Sequence, residues 1–280
     1  MNLTRVLQPY VCCLGNPVAG NPTQFVMYRA ARACGVDWRF FTSQVDASQF
    51  ETAFRGVQAL GLNGAALFEP FQAAIIPLLD SVTESAICLG KVNVARLDGN
   101  SWLGENTLGT AIAQCVEMSM IDRDDTESVL LVLGDEALAK VLRLAKPEWS
   151  DRVQYIRQVS VSATGTDERD EAASVSLEEW ANGPAKRPVG ALVLSTAESG
   201  AMLRQLTSLE MSKSACCLVI ESGTEKQLRP LRLALQTHHI SLVEQMDLMA
   251  NQAAADFFFW TGVTPNIDLL RDSLEEYMQW

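Results

Sequence analysis

The stretch from residue 89 to 112 constrains the fold more than any other part of the chain. Residues 91–97 read as a strand, with Val92, Val94 and Leu97 as its apolar positions. Asp98-Gly99-Asn100 follows, and a glycine between Asp and Asn supplies the backbone freedom that a tight reversal needs. Residues 101–103 make a second short strand, and Gly104-Glu105-Asn106-Thr107 turns the chain. A helix then begins near Gly109 and carries Ile112, Cys115, Val116 and Met118. Such a stretch fits a chain that mixes strands and helices and uses a hairpin to pass from one layered unit to the next.

The remainder alternates in the same way. Strands are expected at residues 11–14, 38–41, 128–133, 153–161, 190–194 and 216–220. Helices are expected at 25–34, 46–61, 177–180, 225–235 and 267–278. In the second of these, Phe50, Phe54, Val57 and Leu60 recur at helical spacing and belong to a core. Residues 162–174, rich in Thr, Gly, Asp and Glu, read as a surface loop. Strands alternating with helices predict an α/β fold with a mostly parallel sheet in each domain. The 280 residues suffice for two domains of ordinary size.

Composition narrows the partners. A net charge of -12 disfavours nucleic acid and anionic membrane surfaces. It also means that a site for an anionic ligand has to be built locally. Residues 2–8 are polar and break any leader-like core, and no uncharged apolar run reaches the length of a membrane span. Seven cysteines occur with no C-x-x-C spacing, so neither zinc nor dithiol chemistry is signalled. The neighbours Cys12 and Cys13, and Cys216 and Cys217, fall on expected strands and should face opposite ways. Reduced, buried thiols in a cytoplasmic protein are the expectation.

Three motifs carry a resemblance. Near the start, a strand leads to Gly15-Asn16-Pro17 and then to the loop Gly20-Asn21-Pro22-Thr23-Gln24. In the middle stand Gly90-Lys91-Val92-Asn93 and Gly104-Glu105-Asn106-Thr107-Leu108-Gly109. Near the end, residues 248–262 contain Gln252-Ala253 and, further on, Phe257, Trp260, Thr261 and Gly262. In these motifs, and over nearly its whole length, the sequence resembles the shikimate dehydrogenase family. The resemblance implies a substrate-binding domain, residues 1–107 with 245–280, completed by C-terminal helices. It implies a Rossmann-like domain at 108–244, and a ligand held in the cleft between the two.

The resemblance assigns substrate-binding roles to Asn93 and Gln252, with help from Asn21, Thr23 and Thr107. Read without it, Asn21 or Thr23 caps a helix, and Gln252 is a helical Gln that faces solvent. Its small and apolar neighbours favour a buried polar contact for Gln252. The family's catalytic Lys and Asp positions are occupied by Gln72 and Leu108, and a substrate-binding Thr position by Phe68. Oxidising an alcohol requires a group that accepts its proton. Neither a Gln amide nor a Leu side chain titrates near neutral pH, which leaves Glu69 and Glu105 as the only visible substitutes.

The family's dinucleotide loop is glycine-rich, and here only Gly134 remains, followed by Asp135-Glu136. Each carboxylate about 6 Å from a pyrophosphate charge costs roughly 3 kcal/mol at an effective dielectric of 20. Acids at a helix N-terminus are otherwise favourable. Arg157 is a weak candidate for a phosphate contact. His238 and His239 match no family position and read as surface turn residues.

The leading expectation is a catalytically degenerate family member that keeps a small polar or carboxylate ligand and takes no cofactor. One alternative is an active oxidoreductase of altered specificity that uses NADP or NAD. Another is a scaffold for a protein partner. Neither a metal nor a nucleic acid is expected, and the oligomeric state, a homodimer included, is left open.

Overall fold

The computed structural model describes residues 8–119, 127–156, 180, 182–183, 187–196, 209–221 and 224–279. The chain divides into two compact units, Met1–Ala111 with Met246–Trp280, and Ile112–Gln245.

The first unit is built on a six-stranded sheet in the order β2-β1-β3-β5-β6-β4. Its strands are β1 (Tyr10–Gly15), β2 (Arg39–Gln44), β3 (Gly64–Leu67), β4 (Ser81–Val82), β5 (Val94–Asp98) and β6 (Ser101–Glu105). β1 runs parallel to β2 and β3, and β4 runs parallel to β6. The two antiparallel pairings are those of β5, with β3 and with β6. Asp98 pairs with Ser101, so Gly99 and Asn100 alone form the hairpin turn. Gly99 takes φ +63°, the left-handed conformation that a two-residue reversal demands.

Alternation along β1 sends side chains into two cores. Val11 and Cys13 join a core with Val26, Met27 and Ala30 of α1 (Thr23–Cys34), and with Ala254, Phe257 and Trp260 of the helix Gln245–Thr261. The terminal helix Ile267–Met278 adds Leu270 and Leu274 to that face. Cys12 and Leu14 point the other way, to Phe50, Phe54 and Val57 of α2 (Phe50–Ala59) and to Phe71 of α3 (Phe71–Ala74). The C-terminal helices thus complete the layer on one side of the first sheet. Trp260 also donates from Nε1 to the Ala95 carbonyl at 3.0 Å, tying that helix to β5. α4 (Glu84–Leu89) leads by way of Gly90 into the segment before β5.

The second unit is a five-stranded sheet, β11-β10-β9-β7-β8, parallel throughout. Its strands are β7 (Val129–Leu133), β8 (Val153–Ile156), β9 (Val189–Thr196), β10 (Met211–Glu221) and β11 (Ser241–Leu242). β7 is buried at every position, as strands covered on both faces are. α5 (Leu108–Ser119) begins in the first unit and continues into the second. α6 (Glu136–Ala145) follows β7, and α7 (Glu225–Thr237) follows β10. β10 starts five residues earlier than the sequence pattern suggests, because a register irregularity between Met211 and Cys216 interrupts the apolar alternation. Arg157, the loop 162–174 and most of the helix expected at 177–180 lie outside the described residues. Trp180 is described. It is buried and donates to Gln154 Oε1 at 2.5 Å.

Candidate functional site

A cavity of about 200 Å³ opens in the first unit where the C-terminal end of β3 meets α1 and the helix Gln245–Thr261. Asn21, Thr23, Phe68, Gln72, Asn93, Gln252 and Asp256 line it, with Val26, Met27, Ala66 and Met249 among the apolar walls. Asn93 and Gln252, far apart in sequence, therefore face one space, beside Asn21 and Thr23. Among the described residues its lining holds no Lys, Arg or His and one acid, Asp256.

The polar walls differ in how far they are already committed. Asn21 Oδ1 accepts from the Thr23 N–H at 2.9 Å, which satisfies a free donor at the start of α1. The expected capping function is thus present, displaced by one residue. Pro22 occupies the cap position and offers no side-chain bond. Gln72 donates from Nε2 to the Leu67 carbonyl at 3.1 Å. Its amide is therefore partly spent on stitching α3 to the end of β3. The Gln252 side chain has no hydrogen bond to the other described residues.

Asn93 sits just before β5 and is buried. It accepts from the Thr107 N–H at 3.0 Å and donates from Nδ2 to Thr107 Oγ1 at 2.8 Å and to Asp256 Oδ1 at 2.9 Å. Thr107 Oγ1 in turn donates to the same carboxylate oxygen at 2.5 Å. Thr107 is buried behind Asn93 and is not part of the cavity wall, so it positions the groups that are. One Asp256 oxygen thus takes two hydrogen bonds, and among the described residues nothing bonds the other. Burial pushes the Asp256 carboxyl up to about 7, against the opposing pull of the bonds from Thr107 and Asn93. The Cys13 thiol lies near enough to feel this charge and is itself pushed up to about 12, chiefly by burial.

Asp256 escapes a reading of the sequence, because it occupies a variable position of the C-terminal motif. The available signal was its spacing. It lies four residues after Gln252, and residues four apart share one helix face.

Neither of the two glutamates expected to substitute for the missing base reaches the cavity wall. Glu69 is held by Lys91 Nζ at 2.7 Å, and Glu105 accepts from Ser85 Oγ and from the Asn106 N–H at 2.8 Å. Leu108 is the first residue of α5, and Asn106 Oδ1 accepts its N–H at 3.1 Å. A larger hollow of about 500 Å³ lies at the other end of α1, around Tyr28, Arg32 and Trp38. Within it Arg39 pairs with Asp37 at 2.9 Å.

In the second unit, β7 is followed by Gly134 at φ +102°, and Asp135 then caps α6. Asp135 Oδ1 accepts the Ala137 N–H at 2.8 Å, and Glu136 pairs with Lys140 at 3.1 Å. The helix N-terminus that would meet a pyrophosphate is therefore occupied by the chain's own carboxylate. These residues do not fit a dinucleotide there. Among the described residues no cluster of His, Cys, Asp and Glu could hold a metal, and no helix is long and apolar enough to cross a membrane.

Known proteins share this fold. Residues 13–95 match the family model of the shikimate dehydrogenase substrate binding domain. The chain is 25% identical over 279 residues to a shikimate dehydrogenase (NADP(+)) of Bacillus licheniformis, covering 95% of this chain and 96% of that one. A solved shikimate 5-dehydrogenase of Thermus thermophilus, in complex with NADP(H) and shikimate, superposes with a TM-score of 0.68 at 18% identity, covering 96% of this chain and all of that one. The Listeria monocytogenes enzyme in complex with shikimate and NAD gives 0.71 at 15% identity, over 95% and 96% of the two chains. The motifs at Gly90 to Gly109 and at Gln252 to Gly262 agree with these likenesses: residues 13–95 match the substrate binding domain of shikimate dehydrogenases, and the chain is similar to such enzymes over nearly its full length.

Proposed function

We propose that this protein binds a small polar ligand in the cavity of its first unit and transfers no hydride. The observation that carries the reading is the division of the site into a polar binding wall and an inert reactive position. Asn21, Thr23, Asn93 and Gln252 present amide and hydroxyl groups to one space. Where the family's Lys and Asp would act, Gln72 bonds the Leu67 carbonyl and Leu108 starts a helix. Loss of general acid–base assistance alone costs about 10²- to 10⁴-fold in rate.

The absence of a fitting dinucleotide loop points the same way. The relatives from Bacillus licheniformis and Thermus thermophilus are described with NADP(+) or NADP(H), whereas this chain places Asp135 and Glu136 after Gly134. An active oxidoreductase relying on Glu69 or Glu105 is less well supported, since both carboxylates are engaged away from the cavity wall.

The test uses the purified chain and two measurements. Titration with NADP+ and NAD+ is expected to show no micromolar binding, and shikimate or quinate with either dinucleotide no reduction of the nicotinamide. Titration with trans-1,4-cyclohexanediol is expected to show saturable binding that Gln252→Leu weakens. Turnover with shikimate would overturn the non-catalytic half of the reading. Equal binding by the Gln252→Leu variant would overturn its placement in this cavity.

A further inference from the structure

The cavity is asymmetric in charge, and that asymmetry identifies a ligand group. Among the described residues its lining includes Asp256 and no basic residue, and the polar remainder is neutral: Asn21, Thr23, Gln72, Asn93 and Gln252. A binding wall for a carboxylate needs a cation or converging N–H donors. Here the Asn93 amide N–H groups are directed at Thr107 and Asp256, and the Gln72 amide at the Leu67 carbonyl. The Thr23 N–H is taken by Asn21. Neutral donors remain on the Asn21 and Gln252 amides and the Thr23 hydroxyl, but the one charged group among the described lining residues is Asp256, whose second oxygen has no bond to the described residues.

We propose that the cavity selects a small hydroxylated ring compound bearing a primary ammonium group, with Asp256 as the partner of that ammonium. The inference rests on the reading of this cavity as a ligand site and adds the charge of the ligand. Asn93 and Thr107 hold one carboxylate oxygen of Asp256, so the other is presented in a set direction without further ordering of the side chain. An ammonium placed there makes a charge-assisted hydrogen bond in a site of low dielectric, where such bonds are strongest. A carboxylate placed there faces a like charge across the same low dielectric and finds no cation. Hydroxyl groups on the ring reach the amides of Gln252 and Gln72 and the Thr23 hydroxyl.

The ammonium also resolves the cost of burying Asp256. Burial holds this carboxyl up near neutrality, and the groups facing it supply no charge: Asn93 ahead of β5, Thr107 ahead of α5, and the Cys13 thiol of β1. Gln252 on its own helix is likewise neutral. A bound ammonium therefore drives Asp256 to its carboxylate form and releases its proton to solvent near pH 7. No covalent step is involved.

Three probes with one ring and different charge test this by calorimetry at pH 7: trans-4-aminocyclohexanol, trans-1,4-cyclohexanediol and trans-4-hydroxycyclohexanecarboxylate. The aminoalcohol is expected to bind at least about tenfold more tightly than the diol, and the carboxylate most weakly. Asp256→Asn keeps an acceptor for Asn93 and Thr107 and is expected to erase the preference for the cation. Repeating the wild-type titration in buffers of different ionisation enthalpy is expected to show proton release with the aminoalcohol alone, a readout that needs no variant. A carboxylate that binds as well as the aminoalcohol, or a cation preference that survives Asp256→Asn, overturns the proposal while leaving a ligand site in place. Binding of none of the three to folded protein overturns both the proposal and the ligand-site reading beneath it.

Discussion

Thr107 and Asp256 lie 149 positions apart, yet the Thr107 hydroxyl donates to the Asp256 carboxylate at 2.5 Å, and Asn93 bonds both. The turn that leads into α5 is thereby joined to the C-terminal helix through three side chains. The same three groups set the direction in which Asp256 meets the cavity.

Asp256 makes stability depend on pH in a defined sense. Its carboxyl is raised in the folded protein from 3.8 to about 7, so between those values the folded chain holds a proton that the unfolded chain has lost. The stabilising contribution is full below the lower value, declines as pH rises, and is gone above about 7. Asp256→Asn should flatten this slope and leave the variant more stable than wild type at pH 8. Because the side chain borders a cavity that water can enter, the gain should be on the order of 1–2 kcal/mol, near one pKa unit's worth of free energy. Urea unfolding at pH 5, 6, 7 and 8 measures it, and a wild-type curve flat across that range would contradict the account.

Asn93 is the hub of the network, and its loss should be expensive. Asn93→Ala removes an acceptor for the Thr107 N–H and a donor to Asp256 at once. Each orphaned buried group costs about 1–3 kcal/mol. The variant should also titrate Asp256 at higher pH, because one of the two bonds that favour its charged form is gone. Carbon-detected NMR of the carboxyl groups reads that shift separately from the change in stability.

Two glycines of the first unit should respond in opposite ways to alanine. At Gly64 an added Cβ would stand 2.7 Å from Trp260 Cδ1 and 3.1 Å from the Ala95 carbonyl oxygen, so Gly64→Ala is expected to destabilise by about 1–3 kcal/mol. At Gly56, within α2, a Cβ meets nothing within 4 Å, so Gly56→Ala is expected to stabilise by about 0.5–1 kcal/mol. Chemical denaturation of both variants against wild type decides the pair.

The cofactor reading has its own stability assay. A dinucleotide at about 100 times its dissociation constant raises stability by about 2.7 kcal/mol. No rise in Tm is expected with millimolar NADP+ or NAD+. Gln72→Lys with Leu108→Asp is not expected to create shikimate oxidation, since Asp135 still caps α6. Activity in that double variant would show that the turn after Gly134 tolerates a pyrophosphate.

The cysteines should divide by burial. Burial pushes Cys12, Cys13 and Cys216 up to about 12 and raises Cys217 as well. At pH 8 iodoacetamide should modify the partly exposed Cys34 and Cys88 first and leave those four largely unlabelled until the protein unfolds. Peptide mass spectrometry distinguishes the two groups.

What the sequence determined by itself was local, or carried by motif. The two-residue turn at Gly99 follows from a glycine that tolerates the left-handed backbone the turn needs, and the helix Ile267–Met278 has the bounds that its residues predict. The division of Cys12 and Cys13 between two cores follows from the two-residue period of a strand. Asn93 and Gln252 were marked by the motifs around them. What only the tertiary structure decided was the role of Asp256. Its helix buries Leu248, Ala250, Asn251, Ala254, Ala255, Phe257 and Trp260, which lie on several sides of it. No single apolar stripe therefore tells which face meets the sheet and which meets the cavity. That assignment depends on how α1, β1 and β5 close around the helix, and on Thr107 and Asn93 arriving from elsewhere in the chain. Contacts between residues so distant in sequence leave no local pattern to read, so the four-residue spacing from Gln252 did not by itself mark Asp256, the one charged group among the described residues of the lining.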